Sequence, residues 1–375
     1  QNQQPSVVQW FIHLGATGYN AMGEKQELTS VASDYVDKGK VDLGVVKGYN
    51  AAVDKPLFDQ FVKQQLPTLN SQKLDQWFTS AILAIPAVMM QACNALQPKY
   101  NSPPRVDPAL GDHLGDVNYH GGHVIDGIAN IYLVFWIDNS FQPVSPKYVS
   151  LTKQFVKDIV QTSLYANSLQ YRDALGRCPT GARLAGTFID RRPFPADIVA
   201  KRTDPKLVSS NKDLWAAMDD LAHHVGQQEL TDVAAKQGWN AQDYHNFLIL
   251  LPTLNWGCGW HGSLTINGQP GAPFAQVSYP YYNGKEQCGN GPPQSPNHDH
   301  IADIATGIIS HELLEGVADP QPGSTGGWDE IADKCPLPSD TVDPQTNGNV
   351  TWNGHHYSIQ EEYDNLRHGC VLEGP

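Results

Sequence analysis

The amino-acid sequence predicts an α+β fold, with a mixed sheet and one long helix that carries the functional side chains, preceded by a mostly helical N-terminal region. Three observations lead to this expectation. Ile131–Trp136 and Tyr244–Leu251 are runs of β-branched, aromatic and aliphatic residues, the composition of strands buried on both faces. Pro146–Leu164 carries helix-period apolar residues at Tyr148, Leu151, Phe155, Val156, Ile159 and Val160. Asp299–Asp319, DHIADIATGIISHELLEGVAD, reads as a single helix closed by Pro320.

The N-terminal part, residues 1–105, reads as a separate helical accessory or pro-like region. Apolar residues recur at helical spacing in Glu27–Tyr35, Leu57–Leu66 and Leu74–Leu96. No chemical cluster lies there, and His13 beside a hydrophobic run reads as structural. The longest apolar run, Trp77–Met90, is interrupted by Pro86 and is too short to cross a bilayer. Asn101–Leu114 is rich in Pro and Asp and reads as a linker. Residues 117–375 then form the second domain.

In that domain the expected order is a strand ending at Trp136, the helix Pro146–Leu164, and a strand at Arg183–Asp190. Helices at Asp213–His224 and Leu230–Gln237 follow, then the strand Tyr244–Leu251. Cys258–His261 reads as a tight disulfide-held loop and Phe274–Tyr282 as an edge strand before the long helix. Val350–Cys370 alternates as a strand pair with Asn353-Gly354 as its hairpin turn. An edge strand followed by a long site-bearing helix is the arrangement of zinc-peptidase domains, so the expected architecture is zincin-like.

Composition narrows the partners. The chain has 375 residues, 40% hydrophobic and 17% charged, enough for a substantial core. Its net charge of −14 disfavours nucleic acid and anionic membranes. Six cysteines without a Cys-x-x-Cys pair point to disulfides in a secreted protein. The expected pairs are Cys258–Cys288 and Cys335–Cys370, which bracket local regions, with Cys93–Cys178 as the remainder. The sequence starts at Gln1, which reads as a mature or trimmed terminus. Asn349-Val-Thr351 is an N-glycosylation sequon.

The chemistry centres on the long helix. Ile301, Ile304, Ala305 and Ile308 form an apolar stripe, and His311, Glu312, Glu315 and Asp319 continue the same arc. Ser310 and Leu314 would face solvent on the opposite side. Carboxylates and an imidazole on a core-facing stripe are costly unless paired or bound to metal. His311 and Glu315 are four residues apart and can reach one ion, as in the HExxH helix with Glu replacing the second His. Glu312 then occupies the position of the general base.

A third metal ligand must come from elsewhere. Asp319 lies about 12 Å along a straight helix from His311, and reaches it only if Gly316 breaks the helix. Glu330 on the following element is therefore the expected third ligand, with Asp333 orienting a ligand. The competing expectation is structural calcium held by Asp319, Asp329, Glu330, Asp333 and carbonyls of Gln321–Gly327. A third is a salt-linked polar core without metal. His120 and His123 form a His-x-x-His pair on a loop, where spacing alone fixes no geometry. His223 and His224 read as exposed at a helix end. His355, His356, Tyr357 and Tyr363 are candidate oxyanion donors. Neither a Gly-x-Ser-x-Gly motif nor a Cys beside a His partner is present to support nucleophilic chemistry.

In sequence order, Tyr119-His-Gly-Gly122 leading to Ile131–Trp136, then Cys258-Gly-Trp-His261, His311–Glu315 and Glu330-Ile-Ala-Asp333-Lys-Cys335 resemble motifs of the exordium (phosphate-induced protein) family and its bacterial relatives. The resemblance spans roughly Val117–Cys370. It implies an extracellular protein with a metal site, and it leaves the activity open. The resulting expectation is a secreted, monomeric zinc hydrolase, a metallopeptidase acting on protein or peptide. His311, Glu315, Glu330 and Asp319 are the candidate metal ligands and Glu312 is the base. The alternative is a non-enzymatic extracellular or cell-wall protein with structural calcium.

Overall fold

The computed structural model describes residues 115–374, apart from 175, 204–221, 256, 283, 289–294, 323–325 and 336–342. The helices expected in residues 1–105, the expected linker at Asn101–Leu114 and most of the helix expected at Asp213–His224 lie outside the described residues.

Hydrophobic runs become the centre of one mixed five-stranded sheet. Its strands are β1 (Gly127–Trp136), β2 (Pro179–Asp190), β3 (Asn246–Pro252), β4 (Gly259–Ile266) and β5 (Gln269–Val277), in the order β2-β1-β3-β5-β4. β1 is parallel to β2 and β3, β3 is parallel to β5, and β4 runs antiparallel along the β5 edge. Successive side chains in a strand point to opposite faces, and the core splits accordingly. Ile131, Leu133, Phe135, Phe247, Ile249 and Leu251 enter one apolar cluster, while Tyr132, Val134, Trp136, Leu248 and Leu250 enter another.

Helices cover both faces, which explains why β1 from Ile131 and β3 from Phe247 onward are apolar. After β1 come α1 (Tyr148–Ile159) and a short α2 (Ser163–Ala166). α3 (Ala196–Thr203) and α4 (Gln227–Gln237) follow β2. The long helix is α5 (His300–Ala318). Apolar residues of α1 and α5 join the first cluster, and those of α3 and α4 the second. Asp299 caps α5 by accepting the Ala302 N–H at 3.2 Å.

Three expectations change. Cys258–His261 is not a closed loop, because Gly259 to His261 open strand β4. Phe274–Tyr282 is not the edge, since β5 lies inside the sheet with β4 outside it. Asn267-Gly268 causes both changes. Both residues have positive φ, at 53° and 73°, and make a two-residue turn that pairs Ile266 with Gln269. The third concerns α5, which has no solvated face at Ser310 and Leu314, because both are buried. One side of α5 lies on the sheet and the other meets α1 and the C-terminal segments, so nearly the whole helix is enclosed. Gly316 does not break it. A Cβ there would collide with the Phe247 ring, so its absence lets the helix sit directly on β3.

The tail forms two small antiparallel pairs. β8 (Val350–Trp352) and β9 (His355–Tyr357) join through Asn353-Gly354 as expected, and β10 (Glu362–Asp364) pairs with β11 (Gly369–Val371). β6 (Tyr281–Tyr282) and β7 (Lys285–Glu286) make a third small ribbon. Disulfides join Cys258 to Cys288 and Cys335 to Cys370. Cys178 is also disulfide-bonded, and Cys93 lies outside the described residues. Among the described residues no helix is long and apolar enough to cross a membrane.

Candidate metal centre

Helical periodicity sets the first pair. His311 and Glu315 lie one turn apart on α5, and His311 Nε2 is 2.9 Å from Glu315 Oε2. The other ring nitrogen, Nδ1, is 2.9 Å from Gln360 Oε1. An amide oxygen only accepts, so this bond places a proton on Nδ1 and turns Nε2 toward Glu315. Gln360 is itself fixed, donating from Nε2 to the carbonyls of Ala332 and Cys335 at 2.7 and 2.8 Å. The second oxygen of Glu315, Oε1, accepts the N–H groups of Ala332 and Asp333 at 2.9 and 3.0 Å. Asp333 Oδ1 stands 3.5 Å from His311 Nε2. Ligand atoms of His311, Glu315 and Asp333 lie within 4.8 Å of one another, a set that can hold a metal ion.

Strand β4 brings a second imidazole. His261 is buried at 7% exposure. Its Nδ1 is 3.3 Å from Glu312 Oε2 and 3.8 Å from Glu315 Oε2, and its Nε2 is 3.5 Å from Glu330 Oε2. Gly259 permits this approach, since a Cβ there would collide with Glu312 Oε1 and the Ile308 side chain. His261 forms two further three-residue groups, one with Asp319 and Glu330 and one with Glu312 and Glu315.

The segment carrying Glu330 and Asp333 is positioned from the N-terminal side of β1. The His120 and Gly122 N–H groups donate to the carbonyls of Gly327 and Gly326 at 2.7 and 2.8 Å, and Tyr119 pairs with Trp328 in an isolated bridge. The Tyr119 ring also packs on Trp328, 5.4 Å between centroids. Asp319, at the end of α5, takes the Gly327 N–H on Oδ1 at 2.7 Å. The Tyr-His-Gly-Gly stretch is thus a clamp on the ligand-bearing loop. His120 pairs with Asp329 at 2.5 Å and belongs to no metal-holding group among the described residues.

The charges here are crowded and mostly out of water. Glu312 is raised chiefly by burial, with His261 opposing. Glu330 is raised to about 8 by burial, opposed by His261 and reinforced by Glu315, Asp319 and Asp333. For His261 burial alone would lower the pKa, but the bond to Glu312 and the nearby carboxylates carry it up to about 9. His311 is carried to about 11 against burial, mainly by Glu315. Glu315 falls despite burial, because His311 and its backbone donors favour the anion. Glu362, fully enclosed with neither oxygen hydrogen-bonded among the described residues, is raised well above the usual range by burial and by Glu315. Burial and mutual repulsion raise most of the carboxyls, and the two imidazoles offset part of that charge.

Each candidate from the sequence has a definite place. His311 and Glu315 meet as expected, and Glu312 lies beside them against His261. Glu330 and Asp319 group with His261, and Asp333 takes the place beside His311 that was expected of Glu330. Asp329 of the all-oxygen set is committed to His120 and to Asn118, whose N–H it accepts at 2.7 Å. The tail donors are engaged elsewhere. His355 and Tyr357 bond Asp158, His356 bonds Thr351, and Tyr363 reaches Asp116. His261, Gln360 and Glu362 were not expected in the site. The Asn-Gly turn that builds the β4–β5 hairpin is the signal that could have placed His261.

Comparison with protein-family models, with curated proteins and with solved structures finds no match.

Proposed function

We propose that this chain is an extracellular zinc-dependent hydrolase acting on protein or peptide. The observation that carries this reading is the His311–Glu315 pair with its oriented imidazole and Glu312 next to it. An imidazole with its Nδ1 proton tied to Gln360 and a carboxylate anchored by two backbone N–H groups are oriented toward each other at one point. His311, Glu315 and Asp333 would hold zinc, leaving a position open to solvent on the exposed Asp333 side.

Zinc would supply a Lewis acid that polarises the scissile carbonyl. Glu312 would take a proton from the attacking water as its oxygen bonds to the carbonyl carbon. The same carboxyl would return the proton to the leaving nitrogen as the C–N bond breaks. A partly desolvated carboxylate suits this exchange, because burial raises its basicity.

The motifs that resemble the exordium family support the same centre. Tyr119–Gly122 clamp the loop, Cys258–His261 open the edge strand, and His311–Glu315 with Glu330–Cys335 supply the carboxylates and imidazole. The disulfides support an oxidising, extracellular setting. The edge strand and long helix support a zincin-like architecture. Structural calcium is the weaker reading, since every metal-holding group among the described residues contains an imidazole and calcium prefers oxygen alone.

The test is metal analysis of the purified chain with peptide hydrolysis by Glu312→Gln. The reading expects bound zinc in both proteins and a hydrolysis rate lowered about 100-fold or more in the variant. Absence of zinc, or full activity in Glu312→Gln, overturns it.

A further inference from the structure

We infer that the centre holds two divalent cations, the second bound by His261, Asp319 and Glu330. This takes the zinc site at His311, Glu315 and Asp333 as given and adds a neighbour to it. The two sets share no residue, and each has its ligand atoms within 4.8 Å of one another.

Three features of the second set are those of a built site. First, His261 is buried, and its Nδ1 faces Glu312 Oε2 at 3.3 Å. With a proton on Nδ1, Nε2 points toward Glu330 Oε2, 3.5 Å away. Neither Nε2 nor that oxygen has a hydrogen-bond partner among the described residues. An imidazole backed by a carboxylate, with its other nitrogen unsatisfied, is the arrangement metal-binding histidines adopt. Gln360 gives His311 the equivalent backing.

Second, Asp319 is preset. Gly327 occupies its Oδ1, and Gly326 lets the loop close over it, because a Cβ at Gly326 would come within 2.7 Å of both carboxylate oxygens.

Third, carboxyl groups crowd the centre and outnumber its imidazoles. Glu312, Glu315, Asp319, Glu330, Asp333 and Glu362 surround only two imidazoles. Among the described residues Asp319 and Glu330 group with His261 and not with His311, so an ion at His311, Glu315 and Asp333 leaves their oxygens for a second one. Mixed nitrogen and oxygen donors select a zinc-like transition metal over calcium or magnesium.

The experiment counts zinc. The full chain is stripped with chelator, reloaded with zinc and desalted, and bound metal is measured per chain, with anomalous scattering to place it in crystals. Two zinc ions per chain are expected, falling to one in Asp319→Asn, which keeps an oxygen for Gly327 but loses the anion. Glu330→Gln serves as the second variant should Asp319→Asn fail to fold, and it should likewise hold one. His311→Ala should lose the other ion and keep the one at His261. A single ion in the unsubstituted chain, placed at His311, overturns the second site and leaves the hydrolase reading standing. Two ions retained in both carboxylate variants also overturn it. No bound zinc at all overturns both.

Discussion

His311 Nδ1 lies 2.9 Å from Gln360 Oε1, a bond that joins the long helix to the tail across 49 residues of sequence. It fixes which imidazole nitrogen faces Glu315. Gln360 also holds the Ala332 and Cys335 carbonyls, so one amide orients an imidazole and tethers the loop bearing Asp333. Removing such a partner of a metal-binding histidine costs about 10–100-fold in affinity. Gln360→Ala should therefore weaken zinc binding by that order, measured by competition with a chelating dye. Gln360→Glu keeps the acceptor and should recover much of the loss. Equal zinc affinity in Gln360→Ala and the unsubstituted chain would remove Gln360 from the site.

Gly259 tests the contact between edge strand and helix. A methyl group there would run into Glu312 Oε1 and the Ile308 side chain. Relief requires β4 to move off α5, taking His261 with it, or Glu312 to change rotamer. Gly259→Ala should lower stability by about 1–3 kcal/mol, the usual range for overpacking. Hydrolysis should fall far more than that figure suggests, because the displaced atoms belong to the base. Denaturant unfolding and peptide turnover measure the two effects. Unchanged turnover alongside lost stability would detach Glu312 from the chemistry.

What could be read in the sequence follows the range of the interaction. His311, Glu312 and Glu315 lie within about one helical turn, so periodicity alone put them together, and β1 and β3 announced themselves by apolar runs. His261 arrives through a hairpin whose only short-range mark is Asn267-Gly268, and with that turn unread the neighbouring Cys258–His261 passes for a loop. Gln360 and Glu362 reach the centre from a tail whose alternation marks strands but not their partners, by contacts spanning tens of residues. The buried side of α5 was misjudged at Ser310 and Leu314 because an apolar stripe implies a solvated back only when one layer covers the helix, and here two do. The split of carboxylates between His311 and His261 depends on where the loop after Asp319 returns. That path is set by the clamp of residues 118–122, more than 190 residues earlier than Asp319 in the chain.

Cys335–Cys370 ties the end of the ligand loop to the tail across 35 residues. Closing a loop of that length stabilises by about 3–4 kcal/mol in the chain-entropy account. The Cys335 carbonyl also receives Gln360, so the crosslink and the His311 support converge. Replacing both cysteines by Ser should lower stability by about that amount and weaken zinc binding. Bound zinc should partly restore stability, by an amount that grows with its concentration. Thermal melts with and without zinc are the check, and identical melts in the crosslinked and uncrosslinked proteins would contradict the claim.

Asn349 bears the sequon but is already occupied. Its Nδ2 donates to the Ile359 carbonyl at 2.7 Å, and its Oδ1 accepts the Ile359 N–H at 3.0 Å. A glycan on Nδ2 would replace one of its two N–H hydrogens and place a large polar group where the tail folds back. Folded protein made in a eukaryotic secretory host should therefore carry little or no sugar at Asn349. Intact mass before and after enzymatic deglycosylation decides it, and full occupancy in folded, soluble protein would count against the tail geometry.

His245 gives the pH dependence a remote origin. Burial alone would lower its pKa, but hydrogen bonds to Asp126 and Asp243, at 3.1 and 3.0 Å, carry it to about 9. Arg177 and the Tyr244 hydroxyl complete the network on Asp126, where β1 and β3 begin. In the unfolded chain a histidine titrates near 6.5. The folded value is the higher one, so the folded state binds this proton more tightly. The resulting stability is fully present below about pH 6.5 and is lost as pH rises through 9. A shift of that size corresponds to about 3 kcal/mol as an upper figure. Unfolding free energies of the unsubstituted chain and His245→Gln should therefore differ most near pH 6 and converge toward pH 10. Asp126 works in the opposite sense, since its partners outweigh burial and hold it below the usual value. Its contribution is lost only as the solution is acidified. A difference between the two proteins that stays constant from pH 6 to pH 10 would show that His245 is neutral in the fold.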